Sequence, residues 1–393
     1  MHPSPGDYEF LAPAKIVFGW GRRREVGELA QTLGRRAFII WGSRTLRSTD
    51  RANEIITSLR RAGIEPVELA TISHEPLVAD VDAATWALRQ LGNGRESLIV
   101  AIGGGSAIDL AKAVAALATH RESDTVQDYL EGVGRGLRIT HSPLPLLAMP
   151  TTAGTGSEAT KNAVISSHEP PFKKSLRSDL MLPKVALIDP ELTVTCSKTV
   201  TAHSGMDAIT QCIESFISRR AKPIAAALAI KGLQLAYPVL VQAVENGESR
   251  PAREAMSQAA LLSGMALANS GLGLAHGVAA ALGVHCHVPH GLACAVMLPA
   301  ALRANRNECA GQLADLESAL APGAADSTRR ADAFVERMVQ LCDLLKIPRR
   351  LGELGVDRAI IPSLAASSYG NSMDGNPRRI SSEELTELLE DML

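Results

Sequence analysis

The chain has 393 residues, of which 46% are hydrophobic and 21% charged, a composition that excludes disordered and fibrous classes and favours two domains. The 40 Lys and Arg residues and 42 Asp and Glu residues leave a formal charge of -2, so we expect neither nucleic acid nor a membrane as partner. Six scattered cysteines without a C-x-x-C pair, and an N-terminus unlike a secretory signal, favour a cytoplasmic protein.

The first half of the chain alternates short apolar runs with helical patterns. Such alternation predicts a parallel sheet with crossover helices. The predicted strands are residues 37–41, 66–69, 98–102, 146–149 and 185–188. The predicted helices between them are residues 53–62, 81–91 and 109–118.

From Leu192 onward the strand signals fade and helical patterns follow one another. The predicted helices are residues 208–217, 224–244, 252–268, 330–345 and 382–392. Pro238 should kink or split the second of them. We therefore predict an α/β N-terminal domain with a parallel sheet over residues 1–190 and an all-α C-terminal domain over residues 191–393.

Residues 255–302 contain no Asp, Glu, Lys or Arg, a composition that resembles a membrane span. Four histidines interrupt the segment, namely His276, His285, His287 and His290. Because a lipid-exposed span should not carry four imidazoles, we predict two buried helices with a connecting loop. The clustered histidines make this segment the first place to look for chemistry.

A glycine-rich loop, Gly103-Gly104-Gly105-Ser106, joins the strand at 98–102 to the helix that contains Asp109. Glycines let the backbone approach a diphosphate, and a helix N-terminus offers free N–H groups and a positive dipole end. A tight turn needs only one or two glycines, so three in a row favour phosphate binding. The loop matches neither the G-x-G-x-x-G fingerprint nor a Walker motif.

A second loop, Pro-Thr-Thr-Ala-Gly-Thr-Gly-Ser-Glu at 150–158, follows the next predicted strand. Small hydroxyl residues after a parallel strand lie where ligands bind in open α/β sheets. The alternative is a polar loop in which Thr155 or Ser157 caps a helix. Two such loops at one edge of the sheet favour a dinucleotide over a lone phosphate.

Asp207 and Gln211 are four residues apart, so their side chains share one helix face. Together with His276 and His290 they offer an Asp plus two His, the usual ligands of a catalytic divalent metal with an open position. Spacing alone leaves this open, because a buried His is more often a hydrogen-bonded core residue. Competing histidine candidates are His285 and His287.

The motifs at 103–109, 150–158, 205–208, 271–277 and 288–291 occur in a recognisable order. Together they resemble the iron-containing (group III) alcohol dehydrogenase family, and the resemblance runs from residues 15–19 to residues 375–378. It implies a dehydroquinate synthase-like architecture, with a nucleotide-binding α/β domain, an all-α domain and an active-site cleft between them. It also implies NAD or NADP, a divalent metal (iron or zinc), a small alcohol or aldehyde substrate, and a homodimer.

The resemblance also implies roles for single residues. The implied cofactor-binding residues are Gly104, Gly105, Ser106 and Asp109 near the pyrophosphate, Thr151, Thr152 and Thr160 near the ribose and nicotinamide, and Lys173. Lys173 is the best-matching lysine of its motif, although it is also readily explained as a solvated surface residue. The implied metal ligands are Asp207, Gln211, His276 and His290.

The chain departs from the family pattern at the second metal position, where Gln211 replaces the common His. An amide oxygen is a harder and generally weaker zinc donor than imidazole. Without Gln211, the remaining Asp207, His276 and His290 still make a three-ligand open site. Maleylacetate reductases are relatives thought to work without metal, so a metal-independent enzyme of that kind is the alternative.

Two further departures concern the proton and the cofactor. Several alcohol-active relatives carry a second His four residues after His276, where this chain has Ala280. The catalytic candidates for proton relay are then His285 and His287, which are equally explained as packing residues. Where NAD-preferring relatives carry an acidic residue, this chain has Ser43 followed by Arg44, so NADP is permitted.

The sequence therefore predicts a metal-dependent NAD(P)-linked oxidoreductase that interconverts an alcohol and an aldehyde or ketone by hydride transfer. One alternative is a dinucleotide-binding homologue that has lost catalysis. Another is a lyase of the dehydroquinate synthase type, which the 150–158 and 288–291 motifs fit less well.

Overall fold

The computed structural model describes residues 7–42, 44–92, 94, 96–323 and 326–393. Contacts divide the chain into two compact units. One comprises residues 11–197 and 247–257, and the other comprises residues 198–246 and 258–393 with the described part of 1–10. The predicted boundary between residues 190 and 191 lies near this division but does not anticipate the segment 247–257.

The first unit contains all the strands found among the described residues. They are β1 Lys15–Phe18, β2 Arg36–Trp41, β3 Glu65–Thr71, β4 Ser97–Gly103, β5 Leu146–Pro150, β6 Asn162–His168, β7 Pro171–Arg177 and β8 Val185–Ile188. Its helices are α1 Val26–Gln31, α2 Arg44–Arg47, α3 Asp50–Arg61, α4 Val78–Leu91 and α5 Gly105–Thr119. The five predicted strands and three predicted helices of this half are confirmed.

Six strands form one parallel sheet in the order β1-β8-β5-β4-β2-β3. Side chains alternate between its faces, so Phe38 and Ile40 pack with α4 and α5, whereas Ile39 and Trp41 pack with α1 and α3. Both faces are therefore covered, as expected for an all-parallel sheet.

The strand order reverses between β2 and β4. The chain passes from β2 to β3 on one side of this point and from β4 to β5 on the other. In open α/β sheets, ligands bind outside the carboxyl ends of the strands at such a switch point. The loop at 103–106 follows β4 and therefore lies at this position.

The antiparallel hairpin of β6 and β7 was not predicted. Only one of its faces is buried, through Ala163, Ile165, Phe172 and Leu176, with less buried residues between them. An analysis based on continuous apolar runs misses such strands, because alternation halves the apolar signal.

The described residues of the second unit form helices and connecting turns. The helices are α6 Lys198–Ile217, α7 Pro223–Ala236, α8 Leu240–Glu245, α9 Arg250–Asn269, α10 Leu274–Cys286, α11 His290–Asn305, α12 Ala310–Leu320, α13 Ser327–Leu344, α14 Ile361–Ser367 and α15 Ser382–Asp391, of which α9 belongs here from Gln258 onward. The predicted break at Pro238 is confirmed, because α7 ends before it and α8 begins after it. Ser381 caps α15 with Glu384 in a capping box.

The charge-free segment 255–302 is one place where the prediction was wrong. It holds parts of three helices, α9, α10 and α11, instead of two helices and a loop. Two interruptions, at 270–273 and 287–289, break the apolar run, and the prediction allowed for only one.

No single helix among the described residues is long and apolar enough to cross a membrane. The pair α9 and α10, bent by 99°, passes such a test by length and composition only.

Candidate active site

The glycine loop connects the end of β4 to the first turn of α5. Gly104 is the N-cap of α5, and no side chain of the described residues caps this helix end. Gly103 packs against Gly42 at the end of β2, where an added Cβ would lie 2.6 Å from the Gly42 Cα. The uncapped N–H groups at the switch point fit a phosphate group.

The second loop lies directly against the first. The backbone N–H of Thr151 donates to the Gly103 carbonyl over 3.0 Å. A Cβ at Gly105 would lie 2.7 Å from the Thr155 methyl carbon, and a Cβ at Gly104 would lie 3.1 Å from the Thr152 hydroxyl. The predicted loop residues are thus brought together, and close packing explains why the run consists of glycines.

A buried lysine of α5 joins these loops to the hairpin. The Nζ of Lys112 donates to Ser157 Oγ (2.9 Å), Thr160 Oγ1 (2.7 Å) and the Asn162 carbonyl (2.8 Å). Lys112 is 1% exposed, and burial lowers its pKa, against the effect of the neighbouring Asp109 carboxylate. Lys112 was not predicted as a site residue, although it lies one helical turn after Asp109.

The Asp109 carboxylate belongs to the same network. Its Oδ1 accepts from Ser157 Oγ, and its Oδ2 accepts from the Val164 backbone N–H over 2.9 Å. Beside it, burial raises the pKa of Glu158 to about 7, although the charge of Lys112 acts in the opposite direction. The polar atoms of Asp109 and Thr160 therefore have protein partners of their own.

Two other predicted cofactor residues lie apart from this network. Lys173 lies on β7, where its Nζ bonds Glu75 Oε1 at 2.7 Å and its side chain is 7% exposed. It is therefore not a solvated surface lysine. Ser43 lies outside the described residues.

In the helical unit, one face of α6 carries Asp207, Gln211 and Glu214, all buried. These positions are four and seven residues apart, which places them on successive turns of one face. The shared face predicted for Asp207 and Gln211 is confirmed. Glu214 was missed, although its spacing from Asp207 could have revealed it.

Glu214 orients His276 and caps α10. Its Oε2 accepts from His276 Nδ1 at 2.6 Å and from the Gly273 N–H at 3.0 Å, and its Oε1 accepts from the Ala275 N–H at 2.7 Å. The carboxylate complements the positive end of the helix. With Nδ1 held in this way, His276 Nε2 faces Asp207 Oδ1 at 3.2 Å.

His290 and Cys294 come from the first turn and a half of α11. Gly291 explains the close approach of α11 to α6, because a Cβ there would lie 2.4 Å from the His203 carbonyl oxygen. The His290 Nε2 lies 3.9 Å from Asp207 Oδ1 and 3.8 Å from Cys294 Sγ.

The donor atoms of Asp207, His276, His290 and Cys294 all lie within 4.8 Å of one another. A carboxylate, two imidazoles and a thiol within this distance fit a divalent metal ion. Three predicted ligands are brought together, and Cys294 was missed despite lying four residues after His290.

Electrostatics at this cluster favour a cation. Burial opposes a charged imidazole, but Cys294, Asp207 and Glu214 outweigh it and raise the pKa of His276 well above its ordinary value. Burial likewise opposes ionisation of Asp207 and Cys294, yet the two histidines lower the pKa of both groups. The cluster thus stabilises positive charge beside two acidic groups.

Gln211 lies beside the cluster with its amide turned in a definite way. Its Nε2 donates to Asp207 Oδ1 at 3.2 Å, and its Oε1 accepts from Ser263 Oγ at 2.7 Å. The atom nearest the cluster is therefore a donor nitrogen.

The two predicted proton-relay histidines have other surroundings. His285 bonds Ser367 Oγ through Nε2 at 2.8 Å, and it follows His276 by nine residues of α10, about 13 Å along the helix axis. His287 ends α10 in a left-handed conformation with φ 54° and is exposed. Ala280, one turn after His276, is half-buried.

A doubly wound sheet with glycine- and threonine-rich loops at its switch point, and a helical unit that gathers metal donors, are typical of a nucleotide- and metal-dependent enzyme. Comparison with known proteins narrows this class. The sequence model described as "Iron-containing alcohol dehydrogenase" matches residues 13–190, and that of the "Fe-containing alcohol dehydrogenase family, C-terminal" matches residues 201–393.

Single relatives agree over nearly the whole chain. "Probable alcohol dehydrogenase EutG" of Escherichia coli (strain K12) is 33% identical over 380 residues, covering 96% of this chain and 93% of the relative. "NAD-dependent methanol dehydrogenase" of Bacillus methanolicus is 30% identical over 391 residues, covering 98% and 99%. The crystal structure of a 1,3-propanediol oxidoreductase superposes with a TM-score of 0.91 at 31% identity, covering 98% and 100%.

The chain therefore belongs to the iron-containing alcohol dehydrogenase family. It is an oxidoreductase that uses NAD or NADP and a divalent metal to interconvert an alcohol and an aldehyde or ketone.

Proposed function

We propose that Asp207, His276 and His290 hold the divalent metal and that the loops after β4 and β5 hold NAD or NADP. The observation that carries the proposal is the convergence of donor atoms from three helices within 4.8 Å, all of them on buried residues except the partly exposed His290. When bound, the metal polarises a substrate oxygen and the nicotinamide exchanges hydride with the substrate carbon.

Each residue in or beside the donor cluster has a distinct role in holding the metal. Asp207 supplies the negative charge, and His276 presents Nε2 because Glu214 holds the proton on Nδ1. His290 is brought in by the close packing of Gly291 on α6. Gln211 orients the Asp207 carboxylate through its amide N–H.

The cofactor is bound mainly by backbone. The N–H groups at Gly104, Gly105 and Ser106 meet the pyrophosphate at the positive end of α5. Thr151 and Thr152 offer hydroxyl groups towards the ribose and nicotinamide.

Asp109 and Thr160 bond Lys112 and thereby position the loops, in addition to their proposed place beside the pyrophosphate and the nicotinamide end. Lys173 is paired with Glu75, and because an ammonium group has three N–H donors the proposed contact with the cofactor is compatible with this ion pair. Ser43 and Arg44 permit a ribose 2′-phosphate, so both nucleotides are expected as substrates.

The proton exchanged between the substrate oxygen and solvent needs a titratable side chain as relay, and Ala280 has none. His285 is the better relay candidate, because it bonds the hydroxyl of Ser367, an exposed residue from which a proton can pass to solvent. His287 is exposed and is the second candidate. We also propose a cytoplasmic location, supported by six free cysteines, and a homodimer as in the family pattern.

The test compares Asp207→Asn with Asp315→Asn, an exposed aspartate of α12. Metal content is measured by elemental analysis after anaerobic loading, and turnover is measured on short alcohols and aldehydes with NAD(H) and NADP(H). Asp207→Asn should lose its metal and about 10³-fold in kcat/KM, since about 4 kcal/mol of transition-state stabilisation is lost. Asp315→Asn should match the wild type.

Two results would replace this proposal. Carbonyl reduction by a wild-type protein that holds no metal would favour the maleylacetate-reductase-like alternative. Tight dinucleotide binding without turnover on any substrate would favour a homologue that has lost catalysis.

A further inference from the structure

The donor cluster contains one residue that the family pattern does not assign. Cys294 lies on α11 one turn after His290, and it is fully buried. A buried cysteine commonly acts as a small hydrophobic residue. Cys294 differs because its Sγ lies 3.8 Å from His290 Nε2 and within 4.8 Å of the Asp207 and His276 donors.

The distances among these donors suit a shared metal ion. Tetrahedral coordination of zinc places nitrogen and oxygen donors about 3.4 Å apart and nitrogen and sulfur donors about 3.6 Å apart. The observed separations are 3.2 Å for His276 to Asp207, 3.9 Å for His290 to Asp207, and 3.8 Å for Cys294 to His290. The other three pairs lie within 4.8 Å, so shifts of up to about 1 Å would bring all four donors to one ion.

Gln211 is poorly disposed to be the fourth ligand. Only its Oε1 can bind a metal, and that atom accepts from Ser263 Oγ at 2.7 Å. Its Nε2 faces the cluster and donates to Asp207 Oδ1. Coordination by Gln211 requires its amide to turn over, with Ser263 Oγ then accepting from Nε2 while it donates to the Ala260 carbonyl.

We propose that Cys294 is the fourth protein ligand of the metal and that Gln211 is not a ligand. The inference rests on the proposed function, in which Asp207, His276 and His290 hold the ion. A thiolate and a carboxylate together neutralise a divalent cation, whereas Asp207 alone leaves one positive charge. Because thiolates are soft donors, the site favours zinc over iron.

The first measurement uses the wild-type holoprotein loaded with zinc. Zinc-edge X-ray absorption should show one sulfur neighbour at about 2.3 Å beside nitrogen and oxygen neighbours. It depends on no variant, so it stands even if a substitution at Cys294 prevents folding. A zinc shell of nitrogen and oxygen alone overturns the proposal while leaving the proposed function intact.

The second measurement assigns the sulfur. Cobalt(II)-loaded wild type should show a thiolate-to-cobalt charge-transfer band in the near ultraviolet. The band should vanish in Cys294→Ser and persist in Gln211→Leu and in Cys286→Ser, a half-buried cysteine of α10 that serves as control.

The other outcomes are distinct. A band that survives Cys294→Ser, or disappears only in Gln211→Leu, overturns the proposal. A wild-type protein that takes up neither zinc nor cobalt overturns the proposed metal ligands as a whole, and Cys294 with them.

Discussion

In the first unit, the candidate cofactor site is made mainly of backbone from two short loops, 103–106 and 150–158, whereas the candidate metal site in the second unit is made of side chains from α6, α10 and α11. The loops depend on space, because Gly103 and Gly105 have neighbours that leave no room for a side chain. The donor cluster depends on the type of each residue, because Asp207 contributes a carboxylate oxygen and His276 an imidazole nitrogen. The loop site should therefore be damaged by changes in packing and the metal site by changes in chemistry.

The largest effect that would sharpen this comparison is expected at Lys112. Lys112→Met removes a buried charge that joins α5 to Ser157, Thr160 and Asn162. The free energy of unfolding should fall by about 3–5 kcal/mol, as for other broken buried ion pairs, and dinucleotide affinity should fall with it. Urea denaturation and a dinucleotide titration measure the two quantities.

Lys184→Met, at an exposed lysine of the same unit, is the matched control for Lys112. Its free energy of unfolding should stay within about 0.5 kcal/mol of the wild type. A Lys112→Met variant as stable as this control would contradict the prediction, because the two loops would then be stable without the hydrogen bonds of Lys112.

A second effect of about 3 kcal/mol concerns Glu158. Burial raises the pKa of the Glu158 carboxyl group from 4.5 to about 7. Between these two pH values, Glu158 is therefore protonated in the folded chain and ionised in the unfolded chain. Stability should therefore fall as pH rises from about 4.5 to about 7. Glu158→Gln should be more stable than wild type at about pH 8 by about 3 kcal/mol, and equal to it below about pH 4.5.

Urea denaturation across this pH range measures the Glu158 effect, with Glu28→Gln, at an exposed glutamate of α1, as control. If wild type, Glu158→Gln and Glu28→Gln share one pH profile, Glu158 does not carry this dependence.

The smallest of the three effects is expected at Glu214, which orients His276 and is not itself proposed as a ligand. Glu214→Gln should weaken metal affinity about 10–100-fold, as is usual for residues that hold a metal-binding histidine. Competition with a chelator measures the affinity, and Glu336→Gln, at an exposed glutamate of α13, is the control. Equal affinities in both variants would show that His276 needs no carboxylate partner.

The sequence predicted the sheet and the glycine loop because both rest on local patterns. Apolar runs define β2, β4 and β5, and the family motifs contain Asp207, His276 and His290. Glu214 and Cys294 follow these residues at helical spacing, so a search for polar residues on the same helix faces would have found them.

Other features depend on contacts between distant parts of the chain. Lys173 bonds Glu75, and Gln211 is oriented by Ser263, and nothing near either residue in the sequence indicates its partner. The same limit applies to the network around Lys112, whose acceptors lie on the second loop and on β6. Residue type alone predicts that a buried polar side chain needs a hydrogen-bond partner. Only the fold shows which residue is that partner.

A single carboxylate, that of Glu214, holds both the first turn of α10 and the imidazole of His276. Metal binding and folding of the helical unit are therefore linked, since the donors come from three helices that separate when the chain unfolds. At a free metal concentration of about 100 times the dissociation constant, this linkage adds about 2.7 kcal/mol to stability. With the proposed ligands, the free energy of unfolding of the helical unit should therefore rise with the free metal concentration.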